Sequence, residues 1–203
     1  MEELLLYFVD AQSKDAMEPL SSVGISDFDL LQSIAMTFSA IVRHALAYGG
    51  VLSGVSCVLL LGILRFNPEI MLNDYPPDIR EKHGPMSERT KRQRVPVAVF
   101  LGAVGLAIVA ESFVQIRADS GGHIPFLTAF VHLFVMFFLF NLVDLLILDW
   151  PLVALRPSFV VLPGTEGLAG YKDYRFHFRG FLIGTVLIFV MSLLMAGAVA
   201  ALF

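Results

Sequence analysis

The chain has 203 residues, of which 57% are hydrophobic and 16% charged. Soluble domains run nearer half apolar and a quarter charged, so this composition excludes a disordered chain, a disulfide scaffold and a nucleic-acid-binding domain. The formal net charge is only -4, and Cys57 is the single cysteine, which excludes an intrachain disulfide and a multi-cysteine metal site.

The first 30 residues hold seven acids and one Lys, a net charge of -6. Leu4 to Val9 is a short apolar run, and Glu2 and Glu3 stand where a secretory signal would carry basic residues. The first true span is therefore expected to direct insertion. Over residues 29–43, Leu30, Leu31, Ile34, Phe38, Ile41 and Val42 share one helical face, with Gln32, Ser33, Thr37 and Ser39 elsewhere. Asp27 or Asp29 can cap its start. The favoured reading is an N-terminal amphipathic helix lying in the membrane interface. The other is one long helix with Arg43 at the water boundary. The chain then divides into an acidic tail with its interfacial helix (1–44) and a transmembrane domain (45–203).

Crossing ~30 Å of hydrocarbon takes about 20 apolar residues. Four stretches meet that test, about 45–64, 95–116, 124–147 and 181–203. Runs of this length are helices, because lipid cannot satisfy backbone groups and barrel strands alternate over shorter segments. The expected fold is an all-α membrane protein, a four-transmembrane-helix bundle.

The first connection holds Pro68, Pro76, Pro77 and Pro85 and reads as irregular, with a short helix at Asp78 to His83. Lys91, Arg92 and Arg94 abut the second span. They read as an anchor on anionic lipid headgroups, or as a specific lipid or phosphate site. In the third connection Tyr174, Phe176 and Phe178 alternate with Arg175, His177 and Arg179. That period of two predicts a small β-hairpin-like flap over 157–179, with an anion-facing side at Arg175, His177 and Arg179. The Gly-rich stretch at 164–170 lacks the spacing of a phosphate loop.

Eleven Lys and Arg flank the first and third connections, against Lys14, Arg43 and Arg117 on the other side. The positive-inside rule places both connections in the cytoplasm and both termini outside. The expected location is a cell membrane, most simply the inner membrane of a prokaryote.

Ionisable residues inside spans cost roughly 2.5–3.5 kcal/mol each and need a reason. Glu111 follows Ala103 and Ala107 at intervals of four, and His132 lies at a similar depth in the third span. They are read as a structural pair, Glu111 with His132 or with Arg43, or as a site for a proton, an ion or a metal. Arg43, His44, Arg117 and His123 fall near the same mouth. At the other end Asn141 and Asp144 share a face, whereas Asp144 and Asp149 are five apart and do not share one.

The strings Asn141-Leu-Val-Asp-Leu-Leu-Ile-Leu-Asp-Trp150, Pro163-Gly-Thr-Glu166 and Tyr174-Arg-Phe-His-Phe178 resemble those of an uncharacterised group of small prokaryotic multi-pass membrane proteins. The resemblance covers roughly residues 124 to 185. It implies a four-span fold with the third span and its flap as one unit, and it carries no activity.

The functional expectation is a membrane-embedded small-molecule or ion binding or transport component, working through Glu111, His132, Asn141 and Asp144. The rival is a non-catalytic accessory or sensor subunit docking a partner or lipid through the loops. No nucleophile constellation supports an enzyme, and no cofactor is expected. Expected partners are the lipid bilayer, anionic headgroups, and a second copy or a partner membrane subunit.

Overall fold

The structure is a computed structural model that describes residues 27–119, 122–155 and 157–202, with side chains from residue 38 onward. It divides into two compact units, Met1–Ala40 and Ile41–Phe203. The acidic tail, the side chains of the 29–37 apolar face, and Arg156 lie outside what is described.

Helix α1 runs Asp27–Phe66. The stretch expected as a separate interfacial helix belongs to this one element, because no Gly or Pro interrupts residues 27–48. A 3-10 segment, Pro68–Asp74, leads to the short helix α2, Pro77–His83, one residue longer than expected at its start. Helix α3 is Glu88–Asp119 and α4 is Phe126–Val143. A π-type turn over Asp144–Asp149 joins α4 to α5, Trp150–Leu155. Two short 3-10 turns, Ser158–Val160 and Ala169–Lys172, precede α6, Tyr174–Leu202.

Four helical runs are long and apolar enough to cross a membrane: Phe38–Phe66, Glu88–Asp119, Phe126–Leu155 and Tyr174–Leu202. The second and fourth begin earlier than the apolar runs alone predict, because the polar turns Glu88–Arg94 and Tyr174–Arg179 are already helical. The basic run Lys91–Arg94 is therefore the first part of a helix, not a loop.

The β-hairpin flap is not formed: the described residues include no strand. Residues 174–179 alternate over only six positions, too few to outweigh the helix that follows. Asp173 also accepts a hydrogen bond from the Phe176 amide at 3.0 Å, the contact a helix N-cap makes.

Away from the loops, the core contains Leu52, Val109, Phe113, Ile124, Leu133 and Met136. Gly49 lets α1 approach α4 closely, since a Cβ there would lie 3.0 Å from the Met136 carbonyl oxygen. Small residues at such crossings replace the hydrophobic drive that lipid does not supply. At the loop end, a second core joins Leu72, Ile79, Leu162 and Tyr171. The two long connections thus fold together as a cap. The Tyr75 hydroxyl donates to the Val160 carbonyl at 2.8 Å, and the Gly170 amide donates to Asp78 at 2.8 Å.

Candidate functional site

The structure does not bring Glu111 and His132 together. Glu111 is exposed on α3, where Gln115 donates to it at 3.2 Å. His132 is fully buried and meets Ser112, the residue next to Glu111, at 3.0 Å. Adjacent helical positions point about 100° apart, so α3 can present Ser112 to the bundle only by turning Glu111 outward.

Asn141 faces α6. Its Nδ2 donates to the Phe181 carbonyl at 3.0 Å and to Thr185 Oγ1 at 3.1 Å. Gly184 leaves room for it, because a Cβ there would sit 2.9 Å from Asn141 Oδ1. Asn141 therefore clamps two spans. Asn141→Leu is expected to lower the unfolding free energy by about 1 kcal/mol, the scale of interhelical bonds in membranes. An SDS-unfolding titration reads this, and an unchanged midpoint would mean that packing alone joins the helices.

Asp144 and Asp149 bound the π-type turn, in which the Trp150 amide donates to the Leu145 carbonyl, five residues back. Pro151 accounts for the turn's position. Its ring has no N–H and crowds the carbonyl four residues earlier, and a wider turn relieves that clash. The wider turn has a second effect. On an α-helix, positions five apart diverge by about 140°, but a wider turn with an i to i+5 hydrogen bond narrows that divergence and brings them toward one side. Asp144 and Asp149 consequently line one cavity, contrary to the α-helical expectation.

That cavity has a volume of about 290 Å³. Asp74, Asp144, Asp149 and His177 supply its polar lining. His177 Nδ1 lies 3.1 Å from Asp149 Oδ1. Leu60, Leu64, Phe140, Leu148 and Leu152 form apolar walls from the spans. The cap contributes Tyr75, Pro76, Gly170 and Tyr171. Burial pushes the Asp74 carboxyl above its ordinary value; Arg94 opposes this, Asp149 adds to it and Arg80 opposes it. The ring of Tyr75 meets that of Tyr171 edge-on at 6.1 Å. Both hydroxyls are engaged, Tyr75 with Val160 and Tyr171 with the Leu162 amide (2.9 Å) and Thr165 (2.8 Å). These bonds hold two aromatic faces in place at the cavity.

The expected anion-binding side divides. In a strand, Arg175, His177 and Arg179 would share a face; on a helix His177 points away from the other two. His177 turns to Asp149, while Arg175 and Arg179 remain exposed. Of the earlier basic run, Lys91 pairs with Glu88 at 2.7 Å, and Arg92 is exposed. The Asn73 amide oxygen, turned toward Arg94, accepts from its guanidinium at 2.7 and 2.9 Å. Among the described residues, no group of three or more His, Cys, Asp or Glu side chains is arranged to hold a metal ion.

No family model, curated protein or solved structure matches the chain.

Sequence reasoning passed over Asp74, Tyr75 and Tyr171, which lie in connections with no periodic signal. Asp149 was open to recognition: Pro151 follows it by two residues within a helical apolar run, the circumstance that widens a turn.

Proposed function

We propose that this chain is a membrane-embedded binding component whose loop-end cavity holds a small amphiphilic cation. The observation that supports this reading is the cavity's composition. Three carboxylates and one histidine line it beside the apolar walls, and two fixed tyrosine faces come from the cap. Carboxylates within spans that face a cavity, not lipid, mark ligand or ion pathways. Aromatic faces next to carboxylates suit an ammonium group, and the leucine walls suit an alkyl chain. The volume fits the small end of ligand pockets, about 300 Å³.

In this proposal the positive-inside arrangement holds. The cavity opens at the cytoplasmic side of a prokaryotic inner membrane, and both termini lie outside. Four spans are few for a self-contained transporter, so a second copy or a partner subunit completes the working unit. A second reading has its own support: Arg92, Arg175 and Arg179 are exposed at the same end, as a surface for anionic headgroups or an acidic partner would require.

The test is thermal unfolding of the purified protein in a neutral detergent. Dodecyltrimethylammonium should raise the midpoint of wild type, and dodecanol should not. The double variant Asp144→Asn with Asp149→Asn should lose the cation response. Equal responses to cation and alcohol, or a response that survives in the double variant, would sink the proposal.

A further inference from the structure

A second polar centre lies in the other half of the bundle, in α1, α3 and α4, and the cavity does not use it. His132 is fully buried, and its Nε2 lies 3.0 Å from Ser112 Oγ. Ser112 Oγ also lies 2.7 Å from the Val109 carbonyl. A carbonyl can only accept, so the serine hydroxyl spends its one proton there and must accept from His132. The proton of neutral His132 is thus on Nε2, and Nδ1 carries a lone pair. Among the described residues, that Nδ1 is buried with no hydrogen-bond partner, as are both ring nitrogens of His44.

The two imidazole centroids are 5.1 Å apart. Tyr48 stacks obliquely against His44 at 4.8 Å, and Phe113 meets His132 edge-on at 5.3 Å. Three such nitrogens on two neighbouring rings require a cause, since buried polar groups are almost always satisfied and a bound ion is one of the few explanations. The ring spacing fits an ion. With metal–nitrogen bonds of ~2 Å, two imidazoles at tetrahedral or trigonal angles on one ion have centroids about 5–5.5 Å apart.

We propose that His44 and His132 form a site for one soft monovalent metal ion, Cu(I) or its stand-in Ag(I). Two features select the charge and the softness. Among the described residues, the groups in contact with the rings, Tyr48, Ser112 and Phe113, supply no carboxylate, and Glu111 is turned outward. A divalent ion would bring two uncompensated charges into this interior, whereas a monovalent ion brings one. Met136, fully buried, stands one turn beyond His132 on the same helical face. Helical side chains lean toward the N-terminus, which directs its thioether toward His132, and thioether and imidazole are ligands for Cu(I).

The test is an anaerobic competition in which the purified full chain withholds Cu(I) from a chromophoric Cu(I) chelator. Wild type should retain about one equivalent per chain, as a defined site does. His44→Leu, at a half-buried position, and His132→Gln should each lose retention. The double variant Asp144→Asn with Asp149→Asn should keep it. Thermal unfolding without metal checks that each variant is folded. If His132→Gln fails to fold, His44→Leu decides, together with X-ray absorption of the Ag(I)-loaded wild type, which should report imidazole nitrogen ligands. The proposal is overturned by any of three results: no retention by wild type, equal retention by His44→Leu, or retention of Zn(II) in preference to Cu(I).

Discussion

Glu69→Ala should destabilise the protein by about 3 kcal/mol at pH 7, a value set by charge-assisted hydrogen bonds of roughly 1.5–3 kcal/mol each acting in one shared network. The carboxylate ties the first connection to the start of α3. It accepts from the Ser87 amide at 2.5 Å, the Ser87 hydroxyl at 2.7 Å and the Thr90 hydroxyl at 2.6 Å. His83 Nε2 lies 3.4 Å away. Thr90 is 1% exposed, so removing its acceptor leaves this buried hydroxyl only the longer contact to Ser87 Oγ, at 3.0 Å. Asn67 Nδ2 donates to Thr90 Oγ1 at 3.0 Å and to Gln93 at 2.8 Å, which carries the same knot to the end of α1.

The pH dependence follows from the same contacts. Partial burial raises the Glu69 pKa, but the bonds from Thr90, from the Ser87 hydroxyl and amide and from His83 outweigh it and hold the carboxyl at about 2. The folded value lies below the ordinary ~4.3 of an unfolded glutamate. Its contribution is therefore complete above roughly pH 4.5 and is lost as pH falls toward the folded value. SDS-unfolding midpoints of wild type and Glu69→Ala should differ most near neutrality and converge between about pH 4.5 and pH 2. A gap that stays constant down to pH 2.5 would show that the lost contacts are packing, not ionic hydrogen bonds.

Gly170→Ala should cost a similar ~3 kcal/mol, combining overpacking of roughly 1–3 kcal/mol with a weakened hydrogen bond of about 1 kcal/mol. A Cβ at this position would collide with the Asp78 carboxylate and lie 2.9 Å from the Pro76 ring. Neither neighbour yields easily. The proline ring is stiff, and Asp78 is held by the Gly170 amide at 2.8 Å and the Ile79 amide at 2.9 Å. Gly170 also lines the cavity, so the response to dodecyltrimethylammonium should fall with stability. Gly180→Ala is the control, because a Cβ there meets nothing within 4 Å and alanine favours a helix. If both variants unfold alike, the close approach at Gly170 does not hold the cap.

The membrane helices were legible because lipid imposes a simple rule, twenty apolar residues in a row, and four stretches obey it. The cap was not legible. Glu69, Asp78 and Tyr75 find partners across separations that no local pattern encodes. The alternation from Tyr174 to Arg179 pointed to a strand, and a single capping residue, Asp173, directed the chain into a helix instead. Glu111 drew attention as a charge inside a span, yet the position beside it, Ser112, is the one that faces the bundle. The pairing of Asp144 with Asp149 was hidden for a geometric reason: sequence spacing was read with the α-helical repeat, and the backbone there follows another.

The wide turn at Asp144–Asp149 also bears on how chains of this kind can change in length. A wider turn takes up one residue more than an α-turn spanning the same rise. Deleting one residue within it would restore ordinary α-turns, leaving α4 in its packing against α6 and keeping Trp150, Pro151 and the path into the cap near their present direction. The third span can thus absorb a one-residue deletion at this point without disturbing the Phe-rich helix before it. The same event anywhere earlier in α4 would shift every contact it makes.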